Sequence, residues 1–103
     1  MRNMRSFNDG KEEALREAMR MVQKGIDLQE ISLILRKEII NDFVNISEEN
    51  KDKEFKKGKL RTKKEIYSIV EKFIKNKDSI EEFKDFLESW IIEEVEGLGT
   101  SKC

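Results

Sequence analysis

Apolar residues recur every three or four positions along four segments of the chain, a period that predicts α-helices. The first segment runs from about Lys11 to Lys24, and Asn8 or Asp9 is placed to cap it. Gly25 follows the last turn, where a C-cap glycine is expected. The repeating apolar residues of this segment are Ala14, Leu15, Ala18, Met19 and Val22.

The second segment begins at Asp27 and is expected to continue to about Asn45. Asp27 and Glu30 have the spacing of a capping box, and Ile26 and Ile31 suit a hydrophobic staple. One face of this helix holds Leu28, Ile31, Leu35, Ile39 and Phe43, and a nearly opposite face holds Leu33, Ile40 and Val44. A helix that is apolar on two sides is expected to be central and buried, or to have its second face covered by another chain.

Two further helices are predicted to begin at the capping-box patterns Thr62 to Glu65 and Ser79 to Glu82. The third helix should stop near Asn76. The apolar stripes are Ile66, Ile69, Val70, Phe73 and Ile74 in the third helix, and Ile80, Phe83, Leu87, Trp90, Ile91 and Val95 in the fourth, with Phe86 beside it. Phe83 and Trp90 are therefore assigned to the core rather than to an aromatic binding patch.

The stretch 47–61 contains one large apolar residue, Phe55, and is expected to be a mobile charged connection. The alternative is a short helix from Ser47 to Gly58. Residues 1–8 and 97–103 are expected to be frayed ends. Because no segment shows an alternating strand pattern, the sequence predicts one all-α domain over residues 1–103. Its simplest form is a four-helix bundle made of two helical hairpins.

The chain has 103 residues, no histidine, no proline and a single cysteine at its last position, Cys103. Histidine is the side chain most used for acid–base work near neutral pH, and histidine and cysteine are the usual zinc ligands. We therefore predict no enzymatic activity, no cofactor and no metal site. The N-terminus lacks the apolar stretch of a signal peptide, and no run approaches a membrane span, which favours a cytoplasmic protein.

Charge is distributed unevenly along the chain. Residues 51–64 include eight basic and two acidic residues, whereas residues 78–96 include eight acidic residues and one basic residue. In the simplest interpretation both runs are solvated and attract each other within the monomer. The basic run would also suit phosphate groups, and the acidic run would suit a basic surface on a partner or mimic a phosphate backbone.

The segment Gly25 to Leu35 resembles the first helix of a helix-turn-helix motif, with a capped start and the small residue Ser32 inside an apolar pattern. The turn of such a motif should come next and often contains glycine. The chain instead has residues 36–38, Arg-Lys-Glu, which favour helix. We therefore predict one long helix across this region.

These observations favour a small regulatory or inhibitor protein that works by binding another protein or a second copy of itself. A short Lys-, Glu- and Ile-rich chain of this style suits an inhibitor encoded by a mobile genetic element. The candidate protein-binding residues are acidic in the fourth helix and apolar on the second face of the second helix. They are Glu81, Glu82, Asp85, Glu88, Leu33, Ile40 and Val44.

Two alternatives stay open at this point. The first is a nucleic-acid-binding regulator that uses the basic run, through Lys56, Lys57, Lys59, Arg61, Lys63 and Lys64. The second is a structural subunit of a larger assembly, which would be unstable alone. None of the three interpretations calls for a membrane or a small-molecule substrate.

Overall fold

A computed structural model of the chain describes residues 6–46 and 53–96, with side chains placed for 6–44 and 53–94. Within these ranges the helices are α1 (Phe7–Gln23), α2 (Leu28–Ile46), α3 (Lys53–Lys75) and α4 (Ile80–Ile91), and one π-helical turn (Ile92–Glu96) follows α4. These residues form no strand, so the predicted all-α fold class is confirmed. No helix among them is long and apolar enough to cross a membrane.

Helix α1 begins earlier than its apolar pattern indicates. The Ser6 hydroxyl accepts a hydrogen bond from the Asp9 amide at 3.1 Å, and the Asp9 carboxylate accepts one from the Ser6 amide at 3.0 Å. This reciprocal pair is a capping box, which satisfies two backbone donors of the first turn. The cap is therefore Ser6 rather than Asn8 or Asp9, and residues 6–8 are not a frayed end. Residues 1–5 lie outside the described ranges, as do 97–103.

Three further helix ends follow the sequence signals closely. Gly25 has a φ of 86°, and α1 closes in a Schellman motif in which the Gly25 and Ile26 amides donate to the carbonyls of Val22 and Met21. Asp27 accepts a hydrogen bond from the Glu30 amide at 2.9 Å at the start of α2. At the start of α4, Ser79 and Glu82 form the full capping box.

Helix α3 corrects the predicted mobile connection. Residues 53–61 are helical, so the expected loop over 47–61 is wrong for that part, while residues 47–52 lie outside the described ranges. Thr62 is a buried residue in the middle of α3 rather than its cap. The segment is ordered because Phe55, Gly58 and Leu60 are buried against the rest of the bundle.

Gly58 is a packing residue, not a helix terminator. A Cβ at Gly58 would overlap the Phe7 carbonyl of α1, and a Cβ at Gly10 would overlap the Phe55 carbonyl of α3. The two helices therefore touch backbone to backbone at this crossing, an approach that only glycine allows. Ala14 and Ala18 continue the small buried side of α1, one and two helical turns beyond Gly10.

The four helices form one bundle around a shared core. The most extensive contacts join α1 to α3, α2 to α3 and α1 to α4, rather than the consecutive helices of two hairpins. The core cluster comprises Ala14, Leu15, Ala18, Val22, Leu28, Ile31, Leu35, Ile66, Val70, Phe83 and Leu87. Helix α3 is therefore flanked by α1 and α2, and α2 lies at the edge of the bundle.

Candidate protein-binding surfaces

The second apolar face of α2 points away from the bundle. Leu33, Ile40 and Val44 are 60%, 59% and 56% exposed. The expectation that α2 is central and buried on both sides is therefore wrong. The physical reason is that α2 packs chiefly on α3 through Leu28, Ile31, Ser32 and Leu35, which leaves its far side without a neighbouring helix.

Phe43 also departs from the sequence pattern. It was expected on the core face with Leu35 and Ile39, but it is 62% exposed at the edge of α2 that adjoins α3. The Lys64 ammonium of α3 lies 6.0 Å from the centre of its ring, within the range of a cation–π interaction. Phe43 thus extends the exposed apolar surface toward α3.

Cations alternate with the apolar residues on this side of α2. Arg36 and Lys37 are exposed between Leu33 and Ile40, and neither forms an ion pair with another described residue. The α2 carboxylates Glu38 and Asp42 point the other way, to α3. We call this surface the α2 face; it comprises Leu33, Arg36, Lys37, Ile40, Phe43 and Val44. It carries positive charge, and the nearest carboxylate on this side of α2 is the exposed Glu30, one turn before Leu33.

The predicted nucleic-acid-binding residues do not form one surface. At about 100° per residue, helix α3 separates them into an inner and an outer set. Lys59 and Lys63 face α1 and α2, and Lys56 is half-buried on the same side. Lys57, Arg61 and Lys64 lie on the outer side at spacings of four and three residues and are exposed.

The inner cations are neutralised within the molecule. The Lys63 ammonium is 3.0 Å from Asp42, 3.1 Å from Glu38 and 3.8 Å from Glu17, and its side chain is 5% exposed. Lys59 contacts Glu17 at 3.0 Å. Burial acts to lower the pKa of Lys63, but the hydrogen bonds and charges of Asp42 and Glu38 outweigh it, so its pKa is raised above the usual value. Lys63 stays charged and joins three helices.

The acidic residues predicted on the fourth helix also divide by orientation. Glu81, Asp85 and Glu88 follow one exposed line along α4 at spacings of four and three residues. Glu82 is exposed about 100° away, and its carboxylate accepts from the Ser79 amide at 3.1 Å. Glu82 therefore has a structural role in the cap, and the remaining three form a solvated line. Glu81 also lines a pocket of about 370 Å³ beside Ile26 and Ile80.

Sequence reasoning missed a groove between α3 and α4. It has a volume of about 470 Å³ and is lined by Glu65, Ser68, Ile69, Phe86, Ser89, Trp90 and Glu93. Phe86 and Trp90 meet edge to face with ring centres 5.7 Å apart, and Phe86 is 38% exposed. The one available signal was the position of Phe86 beside, rather than on, the core stripe of α4.

Among the described residues, no group of three or more acidic, histidine or cysteine side chains is arranged to hold a metal ion. Cys103 lies outside the described ranges. The segment that resembles a helix-turn-helix motif is one continuous helix from Leu28 to Ile46, so the turn of that motif is absent from this part of the chain. Comparison with protein-family models, curated proteins and solved structures finds no match to the chain.

Proposed function

We propose that this chain acts by protein–protein binding through the α2 face, as a small regulatory or inhibitor protein. The observation that carries the proposal is the exposure of Leu33, Ile40, Phe43 and Val44, each between 56% and 62%, on one side of one helix. Single exposed apolar residues are common, but a contiguous group of this size is typical of an interaction site.

The apolar residues of this face supply a substantial part of the free energy that a stable contact needs. Fully burying a side chain of this size contributes roughly 1.5–3 kcal/mol, so covering the exposed part of all four would contribute roughly 4–7 kcal/mol. Association itself costs several kcal/mol, so the apolar contacts would need support from charge pairs. Arg36 and Lys37 can supply these pairs to carboxylates on a partner.

The charges also argue against pairing of two α2 faces with each other. In a two-fold antiparallel pair centred near the middle of the face, Arg36 and Lys37 of both copies would lie close together. Like charges opposite each other at an interface cost free energy, and the exposed carboxylate on this side of α2, Glu30, lies about 9 Å along the helix from Arg36. The complementary surface is therefore apolar and acidic.

The test is affinity capture from a native lysate of the source cells, with and without nuclease, read by mass spectrometry. The informative variant is Leu33→Asp with Ile40→Asp, which places two carboxylates on the α2 face at exposed positions. The matched control is Gln23→Asp with Lys24→Asp, at exposed positions at the end of α1. Circular dichroism of each variant verifies that the bundle is folded.

We expect a stoichiometric protein that survives nuclease, is retained by the control and is lost by the α2 variant. A protein captured equally by all three chains would show that the α2 face is not the contact. Instability of the isolated chain, with rescue by a partner, would instead favour the structural-subunit interpretation.

A second candidate function, nucleic-acid binding, is favoured by one specific observation. The outer side of α3 carries Lys57, Arg61 and Lys64, and the same side continues in both directions with exposed Lys53, Lys72 and Lys75. Replacing Lys57, Arg61 and Lys64 by Gln should abolish binding to a duplex, with a steep salt dependence in the wild type. Replacing Arg20, Lys24 and Lys84 by Gln is the matched control, because it also removes three exposed cations, and equal loss in both variants would rule out a specific role for α3.

A further inference from the structure

The groove between α3 and α4 is apolar with carboxylates at its sides, as a binding site for another molecule would be. The proposed function assigns it no role. Ile69, Phe86 and Trp90 form an apolar floor, and Glu65 and Glu93 stand at its α3 and α4 sides. Neither carboxylate forms an ion pair or a hydrogen bond with another described residue. Such a groove suits a ligand that combines apolar and cationic groups, because cations are attracted both to carboxylates and to aromatic faces.

The groove exists because α3 and α4 pack closely only near the turn that joins them. Phe73 contacts Phe83 and Phe86 there, with ring centres 5.6 Å and 6.0 Å apart. Farther from the turn the principal helix neighbour of α4 is α1, with Lys11 and Glu94 forming an ion pair at 3.3 Å. The aromatic side chains between α3 and α4 are therefore left with one side open.

Among the described residues, the α2 face is the surface that combines exposed large apolar groups with unpaired cations. Leu33 and Ile40 flank Arg36 and Lys37, and the face from Leu33 to Val44 is about 16 Å long at the helical rise. The charge of this face is opposite to that of Glu65 and Glu93 in the groove lining, and both surfaces are apolar at the centre. The exposed cations Arg61 and Lys72 lie one turn to either side of the groove residues of α3.

We propose that the partner of the α2 face is a second copy of this chain, whose α3–α4 groove receives it. This inference rests on the proposed function, because it takes the α2 face as a protein contact and identifies what covers it. Leu33 and Ile40 pack on Phe86 and Trp90 of the receiving copy, and Arg36 and Lys37 pair with Glu65 and Glu93. The contact cannot form within one molecule, because the Ser32–Glu71 and Lys63–Asp42 hydrogen bonds hold α2 on the side of α3 with its outer face turned away.

This contact joins two different surfaces, so each copy retains one unused α2 face and one unused groove. Heterologous contacts of this kind extend into a filament or close into a ring. The assembly is expected to depend on concentration and to weaken with salt, because its charge pairs lie at the rim of the groove.

The experiment compares two variants that disable opposite halves of the contact. The face variant carries Leu33→Asp and Ile40→Asp, and the groove variant carries Glu65→Lys and Glu93→Lys, all at exposed positions. Sedimentation velocity is recorded from about 1 µM to about 1 mM, a range that detects dissociation constants of ordinary weak and moderate contacts. Glu12→Lys with Glu54→Lys is the control for charge reversal outside the groove and outside the candidate binding residues.

We expect the wild type and the control to assemble, and each of the two variants to remain monomeric. An equimolar mixture of the variants should form a heterodimer that grows no further, because the intact face of one meets the intact groove of the other. In this mixture, adding Trp90→Phe to the groove variant leaves Trp90 of the face variant as the only tryptophan, since the chain has one. Its emission should then shift to the blue on mixing.

Three results would overturn the inference. A wild type that stays monomeric over the whole concentration range excludes self-association. If this monomer still captures another protein through Leu33 and Ile40, the proposed function holds although the inference fails. A groove variant that still assembles indicates pairing of two α2 faces. Two variants that fold but do not combine show that the face and the groove are not partners.

Discussion

Adding a methyl group at Gly58 is expected to destabilise the protein, although the same change stabilises most helices. At an exposed helical position, Gly→Ala contributes about 1 kcal/mol in favour of the helix. At Gly58 the new Cβ would overlap the Phe7 carbonyl, with the carbonyl carbon 2.9 Å away. Ordinary carbon contacts are about 3.5–4.0 Å, so α1 and α3 would have to separate by roughly 1 Å at their crossing.

The magnitude follows from which atoms must move. Overpacking in a close-packed interior costs typically 1–3 kcal/mol, and here the obstacle is backbone rather than the end of a flexible side chain. We expect Gly58→Ala to lower the free energy of unfolding by about 2 kcal/mol after the helix-propensity gain. With an m-value of about 1–3 kcal/mol/M in urea, the midpoint of unfolding should fall by about 1 M.

Urea unfolding followed by far-UV circular dichroism measures this change. The control is Lys57→Ala, which alters an exposed neighbour on the same turn and should stay within about 0.5 kcal/mol of the wild type. Gly10→Ala should resemble Gly58→Ala, and the double variant should cost less than the sum, because one separation of the helices relieves both overlaps. A higher midpoint for Gly58→Ala would refute the backbone contact between α1 and α3.

Three further predictions concern single residues of α3 and its end. Thr62→Val should raise the free energy of unfolding by about 1–2 kcal/mol in urea titrations, because the buried Thr62 hydroxyl has no hydrogen-bond partner among the described residues. Lys63→Met should lower the free energy of unfolding by about 2–3 kcal/mol near neutral pH, because Glu38 and Asp42 lose the cation that they contact. Because the pKa of Lys63 is raised in the folded state, its charged form contributes fully to stability below the unfolded pKa of 10.5. This contribution is lost as pH rises through the higher folded pKa. The difference in the free energy of unfolding between Lys63→Met and wild type should therefore stay constant from neutral pH to about pH 10 and then shrink. A difference that shrinks only toward acid pH would contradict a raised pKa of Lys63. Lys77→Gly should raise the melting temperature, because Lys77 has a φ of 62° in the Schellman turn after α3, a conformation that costs an L-residue about 1 kcal/mol; an unchanged or lower melting temperature would count against it.

The local signals of the sequence were reliable where a helix end is decided by its own residues. Gly25, Asp27 and Ser79 were placed correctly because a left-handed cap and a side-chain cap depend on neighbours within one turn. The same type of pattern failed at Thr62. A Thr followed three residues later by Glu also occurs inside helices, and here Thr62 packs toward the interior of the bundle.

In the alternative prediction Gly58 ended a short helix, but a glycine has two opposite meanings in a helical protein. It can end a helix, as Gly25 does, or let two helices touch, as Gly58 and Gly10 do. The second meaning depends on a residue that is about fifty positions away in the chain, so no local pattern contains it. With residues 53–61 taken as a connection, the helical split of the basic run into inner and outer cations was also out of reach.

Lys63 explains why the α2 face is presented to solvent in a fixed orientation. Among residues 28–44 of α2 the last buried apolar side chain is Leu35, so the described core contacts alone do not fix how the second half of the helix is rotated. Glu38 and Asp42 are one turn apart on the same side, and both hold the Lys63 ammonium. A rotation of α2 by one residue, about 100°, would break both contacts and leave a buried cation without its partners. The ion cluster therefore sets the register of α2 on α3 and turns Ile40 and Val44 outward. The contacts of Glu38 and Asp42 with Lys63 therefore also determine which residues of α2 a partner meets.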